Sequence, residues 1–295
     1  MREENRCIFN STEKGTCVIM KKYDSHTHTN NSLDGVQSID ELCLSAIEKG
    51  VSGITVSDHA DIHTYVESNS YERIRASVKE TEAAKERYKG RLEVFKSVEL
   101  GDMCKSAEAT KELAGICDYD VLLGSVHFTA YEDINEYYSG VSFDESVPME
   151  KINGFLREYF TLVRNMIETC DIDVVCHLTC PLRYIVLKYG RNVDVSSFYP
   201  QIEDILKQII EKDLALEVNT SGFSEKGDSK SLLMPSEDIL KIYFDLGGKK
   251  ITLGSDAHVA ERVANGFDDV AEILKKIGFT SYCHFEKRKA VEVSL

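Results

Sequence analysis

The 295-residue chain has no apolar run approaching the roughly 18 to 20 residues that span a bilayer as a helix. That absence excludes a helical membrane protein. Residues 1 to 20, "MREENRCIFNSTEKGTCVIM", lack an apolar segment ending in a small-residue cleavage site, so they predict no secretory signal. They read as a flexible leader before a domain spanning residues 21 to 295. Basic charge is also scarce. Against 50 Asp and Glu stand 35 Lys and Arg, giving a net charge of −15 and a pI near 5.0. A protein that tracks a nucleic-acid backbone needs a basic face, and the one basic cluster, "FEKRKA" at 285 to 290, is too small for it. Long nucleic acid is therefore not an expected partner. Only 4 prolines are present and no Pro/Gly/Ser-rich linker divides the chain, so a single large domain is expected. The 9 cysteines lack metal-finger spacing: Cys176 and Cys180 flank His177, but no second pair completes a tetrahedral zinc site. They read as reduced, buried thiols of a cytoplasmic protein.

What is present begins with a composition of 42% hydrophobic and 29% charged residues, enough to bury a sizeable core. Short β-branched runs recur at 23–26 (YDSH), 53–57 (GITVS), 93–98 (EVFKSV), 119–126 (YDVLLGSV), 172–176 (IDVVC), 214–218 (LALEV) and 250–254 (KITLG). Between them, segments such as 38–50 and 149–170 carry apolar residues at three and four spacing, the period of an amphipathic helix. Ser38 with Glu41 three residues on predicts a capping box, and Gly50 a left-handed C-cap. Residues 235–248 repeat the formula, with Ser236 as N-cap and Gly247 or Gly248 as stop. Strands alternating with helices predict parallel βαβ units, either a closed barrel or a doubly wound sheet. The polar segment 129–147 predicts a functional loop, a candidate lid.

The strand ends carry the chemistry. His26, His28 and Asp34 follow the first run, Asp58 and His59 the second; Glu99 ends the third. His127 and His177 end the fourth and fifth, and Asp256 and His258 follow the seventh. Thus 6 of the 8 histidines fall at predicted strand C-termini, the end at which barrel loops converge on one mouth. A lone strand-end histidine is ordinarily a hydrogen-bonded rim residue. Six together with the carboxylates of Asp34, Glu99 and Asp256 would repel and desolvate one another at high cost without cations between them. Nine donors exceed one tetrahedral zinc and suit two or three metal ions.

In order, "DSHTHT", "SDHAD", "SVELG", "LLGSVHF", "DVVCHL", "EVNTSG" and "TLGSDAH" resemble the polymerase and histidinol phosphatase (PHP) family, most closely its stand-alone phosphatase branch, over about residues 21 to 290. The resemblance implies a single-domain, distorted seven-stranded TIM-like β/α barrel with a trinuclear centre of zinc, manganese or iron. His26, His28, Glu99 and Asp256 would hold one ion. Glu99 would bridge to a second held by His127 and His177, and Asp34, His59 and His258 would hold the third. Glu99, Asp256 and His258 are then the residues nearest the chemistry. Some relatives have histidine in place of Asp34, so the third site is expected to differ in affinity.

The resemblance implies hydrolysis of a small phosphate monoester, with histidinol phosphate of histidine biosynthesis as the expected substrate, by hydroxide that the metals activate. Another small ester, such as a nucleotide or sugar phosphate, is the alternative. A non-hydrolytic PHP module would be expected to lack ligands. Arg183, six residues after His177, is expected to present a bidentate fork to phosphate. Asn219 and Ser221 are candidate substrate contacts. Lys226 stands where relatives often have a second arginine. Asp61 is a candidate partner for the substrate amine and His63 for a proton-transfer or contact role. Nothing in the sequence sets the oligomeric state.

Overall fold

The computed structural model describes residues 21–223 and 232–295. Seven parallel strands follow in chain order around a nearly closed barrel: β1 (Tyr23–Thr27), β2 (Gly53–Val56), β4 (Glu93–Gly101), β5 (Val121–Ser125), β8 (Val174–Val175), β9 (Ala215–Asn219) and β10 (Ile251–Gly254). Each expected run forms one. The three-residue strand β3 (His59–Asp61) adds to β4 beyond the end of β2, pairing His59 with Glu99. The last and first strands are joined by backbone hydrogen bonds at the C-terminal end, through the bridge Thr27↔Ala257, with Asp256 N donating to His26 O at 2.8 Å and His28 N to Ala257 O at 3.0 Å. The bonds that close the barrel thus also hold the His26–His28 and Asp256 segments together at the mouth.

Helices α1 (Ile39–Glu48), α2 (Ser70–Arg87), α3 (Ala107–Ala114), α4 (Met149–Thr169), α5 (Tyr199–Glu211), α6 (Glu237–Asp245) and α7 (Phe267–Ile277) pack around the strands. Their coverage is why β1, β5 and β9 are buried along their whole lengths, unlike the alternating strands of a one-sided sheet. In α4, Ile152, Phe155, Leu156, Tyr159, Phe160, Val163, Met166 and Ile167 recur at three and four spacing and all are buried. The capping box forms as expected: Glu41 N donates to Ser38 Oγ and Ser38 N donates back to Glu41 Oε2 at 2.8 Å. Gly50 adopts φ 67°. Ser236 occupies the N-cap of α6, but its side chain makes no capping bond.

Two elements depart from expectation. The segment 129–147 is not a plain loop, because β6 (Phe128–Tyr131) and β7 (Ile134–Tyr137) form an antiparallel hairpin leaving the barrel mouth directly after His127. At the other end, the basic cluster lies in a second hairpin, β11 (Ser281–Glu286) with β12 (Lys289–Ser294). Cys283 and Phe285 pack there against Val121, Val174 and Ala215, which begin or lie near the beginning of their strands, so this hairpin floors the barrel. The expected leader, residues 1–20, and Lys226 lie outside the described residues. Among the described residues no helix is long and apolar enough to cross a membrane.

Candidate metal centre

The mouth is a solvent-open cleft whose lining includes Asp34, His59, Asp61, Glu99, His127, His177 and Asp256. Glu99 sits at its centre, 2% exposed. Its Oε2 faces His26 Nε2 at 3.2 Å and His28 Nε2 at 3.6 Å; its Oε1 faces His177 Nε2 at 2.9 Å and His127 Nε2 at 3.1 Å. One carboxylate therefore spans two pairs of imidazoles. Asp256 joins the first pair, with Oδ1 3.1 Å from His28 Nε2. At the lip, Asp34 Oδ1 meets His59 Nε2 at 2.9 Å and His258 Nε2 at 3.2 Å. The three groups that the family resemblance implies are thus each brought together, with donor atoms within 4.8 Å of one another in the triads His26–His28–Asp256, Glu99–His127–His177 and Asp34–His59–His258, and Glu99 Oε2 beside the first.

The donor set fits divalent cations. His127 Nε2 and His177 Nε2 face each other at 3.5 Å across one Glu99 oxygen, and a single proton cannot satisfy both lone pairs and the carboxylate. His28 Nε2 is buried beside two carboxylates without a hydrogen bond of proper geometry. The electrostatics say the same. Burial by itself would discharge His26, yet Glu217 and Glu99 hold it well above the usual imidazole range. Burial likewise opposes ionisation of Glu99, but His26 and His127 hold it well below the usual carboxylate range. His28 goes the other way, down to about 4, through desolvation and the neighbouring His258. Imidazole nitrogen and carboxylate oxygen of mixed type suit zinc, manganese or iron. The lip group differs from the other two: the Asp34 side chain is 64% exposed, against 2% for Glu99.

Backbone and neighbours hold these donors in position. His177 and Asp256 adopt φ of 28° and 52°, a costly left-handed conformation for such residues and a recurrent mark of functional loops. The β1–β2 register shifts between Asp24 and Thr27, across His26. Asp58, fully buried, accepts from Thr29 N, Thr29 Oγ1, Ser32 Oγ and Ser77 Oγ, and Ser32 Oγ in turn meets His28 Nδ1 at 3.0 Å. His258 Nδ1 donates to Asp256 O at 2.9 Å, which turns its Nε2 lone pair toward the cleft.

A residue that the strand-end pattern does not reveal, Glu217, organises the floor of the cleft. Its Oε1 accepts from His26 Nδ1 at 2.6 Å; its Oε2 accepts from His177 N at 2.7 Å and Asn219 Nδ2 at 3.1 Å. Asn219 Oδ1 then accepts from Ser221 Oγ at 2.7 Å, and Ser221 Oγ accepts from Arg183 Nη1 at 2.6 Å. A continuous chain of bonds therefore runs from His26 to Arg183. Any Cβ on Gly254 would collide with Glu217 Oε1 and His26 Cβ, so only glycine admits this packing. The available signal was a carboxylate amid the apolar run "LALEV".

Several expected substrate contacts have other surroundings. Asn219 is fully buried beneath Ser221, so it supports Arg183 rather than lining the cleft. Ser221 gives its oxygen to the guanidinium. The Asp61 carboxylate, expected at a substrate amine, accepts from His127 Nδ1 at 2.7 Å and lies 3.5 Å from His59 Nδ1. Burial opposes its ionisation, but these two imidazoles hold it well below the ordinary carboxylate range. His63 is exposed, stacks on Phe128 at 3.8 Å between centroids, and does not line the cleft. Arg183 does line it, held also by Tyr184 Oη at 2.7 Å and 3.7 Å from Asp256 Oδ2.

Comparison with known proteins agrees with this geometry. A curated "Probable histidinol-phosphatase" of Thermotoga maritima is 27% identical over 276 residues, covering 92% of this chain and 99% of that one. A "Histidinol-phosphatase" of Lactococcus lactis is 26% identical over 275 residues, covering 92% and 96%. The crystal structure of histidinol phosphate phosphatase from Lactococcus lactis, complexed with zinc, L-histidinol and phosphate, superposes with a TM-score of 0.73 at 24% identity, covering 92% of this chain and 99% of that one. That likeness is one of fold. The PHP domain model matches residues 24–221, from the first strand through Ser221, and the chain is a member of the PHP domain family.

Proposed function

We propose that this protein is a metal-dependent phosphatase that hydrolyses L-histidinol phosphate to L-histidinol and inorganic phosphate. The observation that carries the reading is Glu99, one buried carboxylate facing two imidazole pairs beside an arginine anchored from two sides. His26, His28, Glu99 and Asp256 would hold one cation, Glu99, His127 and His177 a second, and Asp34, His59 and His258 a third. Bound divalent ions supply polarisation of the phosphoryl oxygens and activation of the attacking water.

The chain's own residues do the rest. Arg183, fixed by Ser221 and Tyr184, is pre-oriented to pair with two phosphoryl oxygens. Asp256, between His28 and Arg183, is positioned to take a proton from the attacking water. His258 presents Nε2 at the lip of the same cleft. Water oxygen bonds to phosphorus as the ester P–O bond breaks, and the departing alcohol oxygen takes a proton. The expected partner is a small phosphate ester, and the expected setting is the cytoplasm, where histidine biosynthesis would use the product.

Phosphate release from L-histidinol phosphate, beside nucleotide, sugar and aryl phosphates, tests the proposal. It should be highest for histidinol phosphate and abolished by a strong chelator. Activity surviving complete metal removal would overturn the mechanism. Preference for another ester would retain the chemistry and change the substrate.

A further inference from the structure

Two cysteines outside the cleft form a pair that the phosphatase reading does not use. Cys104 lies on the turn Met103–Lys105 that follows β4, and Cys170 is the C-cap of α4. The residues are 66 positions apart, yet their sulfurs approach to 3.9 Å, with Thr169 Oγ1 3.5 Å from the Cys104 sulfur and 3.6 Å from that of Cys170. Cys104 is exposed to solvent. Of the other described cysteines, Cys43, Cys176, Cys180 and Cys283 are buried and Cys117 is half-buried. We propose that Cys104 and Cys170 constitute a peroxide-reactive dithiol that closes reversibly into a disulfide, a modification site independent of the phosphatase activity.

Contact and reactivity both favour this pair. A disulfide needs sulfurs about 2.0 Å apart, a separation that side-chain rotation can supply from van der Waals contact. The hydrogen bond from Cys170, aided by the adjacent Lys105 ammonium, pushes the Cys104 thiol down to about 6, whereas burial pushes Cys117 up to about 11 and Cys43 and Cys283 up to about 12. Cys104 is therefore the described thiol that combines access with thiolate character.

In the reaction, the Cys104 thiolate attacks one oxygen of a hydroperoxide. The O–O bond breaks, the leaving oxygen takes a proton, and Cys104 becomes a sulfenic acid. The Cys170 sulfur then attacks the Cys104 sulfur; the S–O bond breaks, an S–S bond forms and water leaves. Two thiols lose two electrons and the peroxide gains them. A reducing dithiol reverses the bridge by exchange.

The bridge has a structural consequence near the mouth. Asp102, two residues before Cys104, accepts from His127 N and Phe128 N, both at 3.0 Å. A disulfide would fasten that turn to the end of α4, the helix whose Gly154 packs under Tyr131 of the lid hairpin.

The test exposes the reduced full-length protein to hydrogen peroxide, alkylates remaining thiols and maps peptides without reduction. A Cys104–Cys170 linked peptide is expected, lost on treatment with dithiothreitol and absent in Cys104→Ser. In Cys170→Ser, Cys104 should be trapped as a sulfenic acid by a 1,3-dione, and it should react at least roughly tenfold faster than Cys117. Oxidation should raise the melting temperature of the wild type and of neither variant. Free alkylation of both cysteines after peroxide, or equal rates at Cys104 and Cys117, would overturn the proposal.

Discussion

At the mouth of the barrel, buried and half-buried imidazoles face Glu99, Asp256, Asp61 and Asp34, with the shortest contact to each carboxylate at 2.7 to 3.1 Å. At the floor, His284 is equally buried but lies flat on Tyr23, 3.9 Å between centroids and 4° between planes, its nearest carboxylate, Glu286, 3.9 Å away. Desolvation lowers the His284 proton affinity, whereas carboxylates reverse the same effect on His26. Burial alone makes a histidine a neutral aromatic plate. Burial among convergent carboxylates makes it a seat for a cation, and only the second arrangement has a chemical use.

The sharpest way to break this contrast is Glu99→Ala. It should cost phosphate release roughly 10³-fold or more, because one side chain serves two imidazole pairs whose members act together. Elemental analysis of the folded variant should find fewer bound metal ions than in the wild type. Full metal content would mean that Glu99 is not the hub. Glu217→Gln comes next: loss of the carboxylate behind His26 should weaken metal retention about 10- to 100-fold, measured by competition with a chromogenic chelator. Arg183→Lys should raise KM for histidinol phosphate about tenfold while leaving metal content unchanged, since an ammonium cannot reproduce the paired guanidinium contacts. The smallest effect belongs to the floor. His284→Ala should cost about 1 kcal/mol of stability from lost stacking, seen by denaturant titration, with metal content and kcat unaltered. A fall in metal content would erase the distinction between the two ends.

The repeating strand–helix order was legible because parallel strands covered on both faces must be continuously apolar, and each of the seven runs became a strand. The strand-end histidines were legible for a related reason: a barrel sends all strand C-termini to one mouth, so position along the chain translates into proximity. The capping box at Ser38 was legible because it is local. Glu217 escaped because its partners, His26 and His177, are 191 and 40 residues away. Asn219 lies beneath Ser221 because spacing places a residue on a loop but does not aim its side chain, whereas Asp61 does line the cleft with its carboxylate turned to His127 and His59. The β6–β7 hairpin was not legible for want of a strong β-branched alternation in "FTAYEDINEY".

By itself, then, the sequence determined the number and order of the barrel strands, the end at which the polar residues gather, and the chemical type of the donors. All of these follow from local periodicity and from composition. Only the tertiary structure decided which oxygen of Glu99 faces which imidazole, that Glu217 links His26 to Arg183, and that Cys104 meets Cys170. Those are contacts between residues distant in sequence, selected by barrel closure and packing, and no local pattern encodes them.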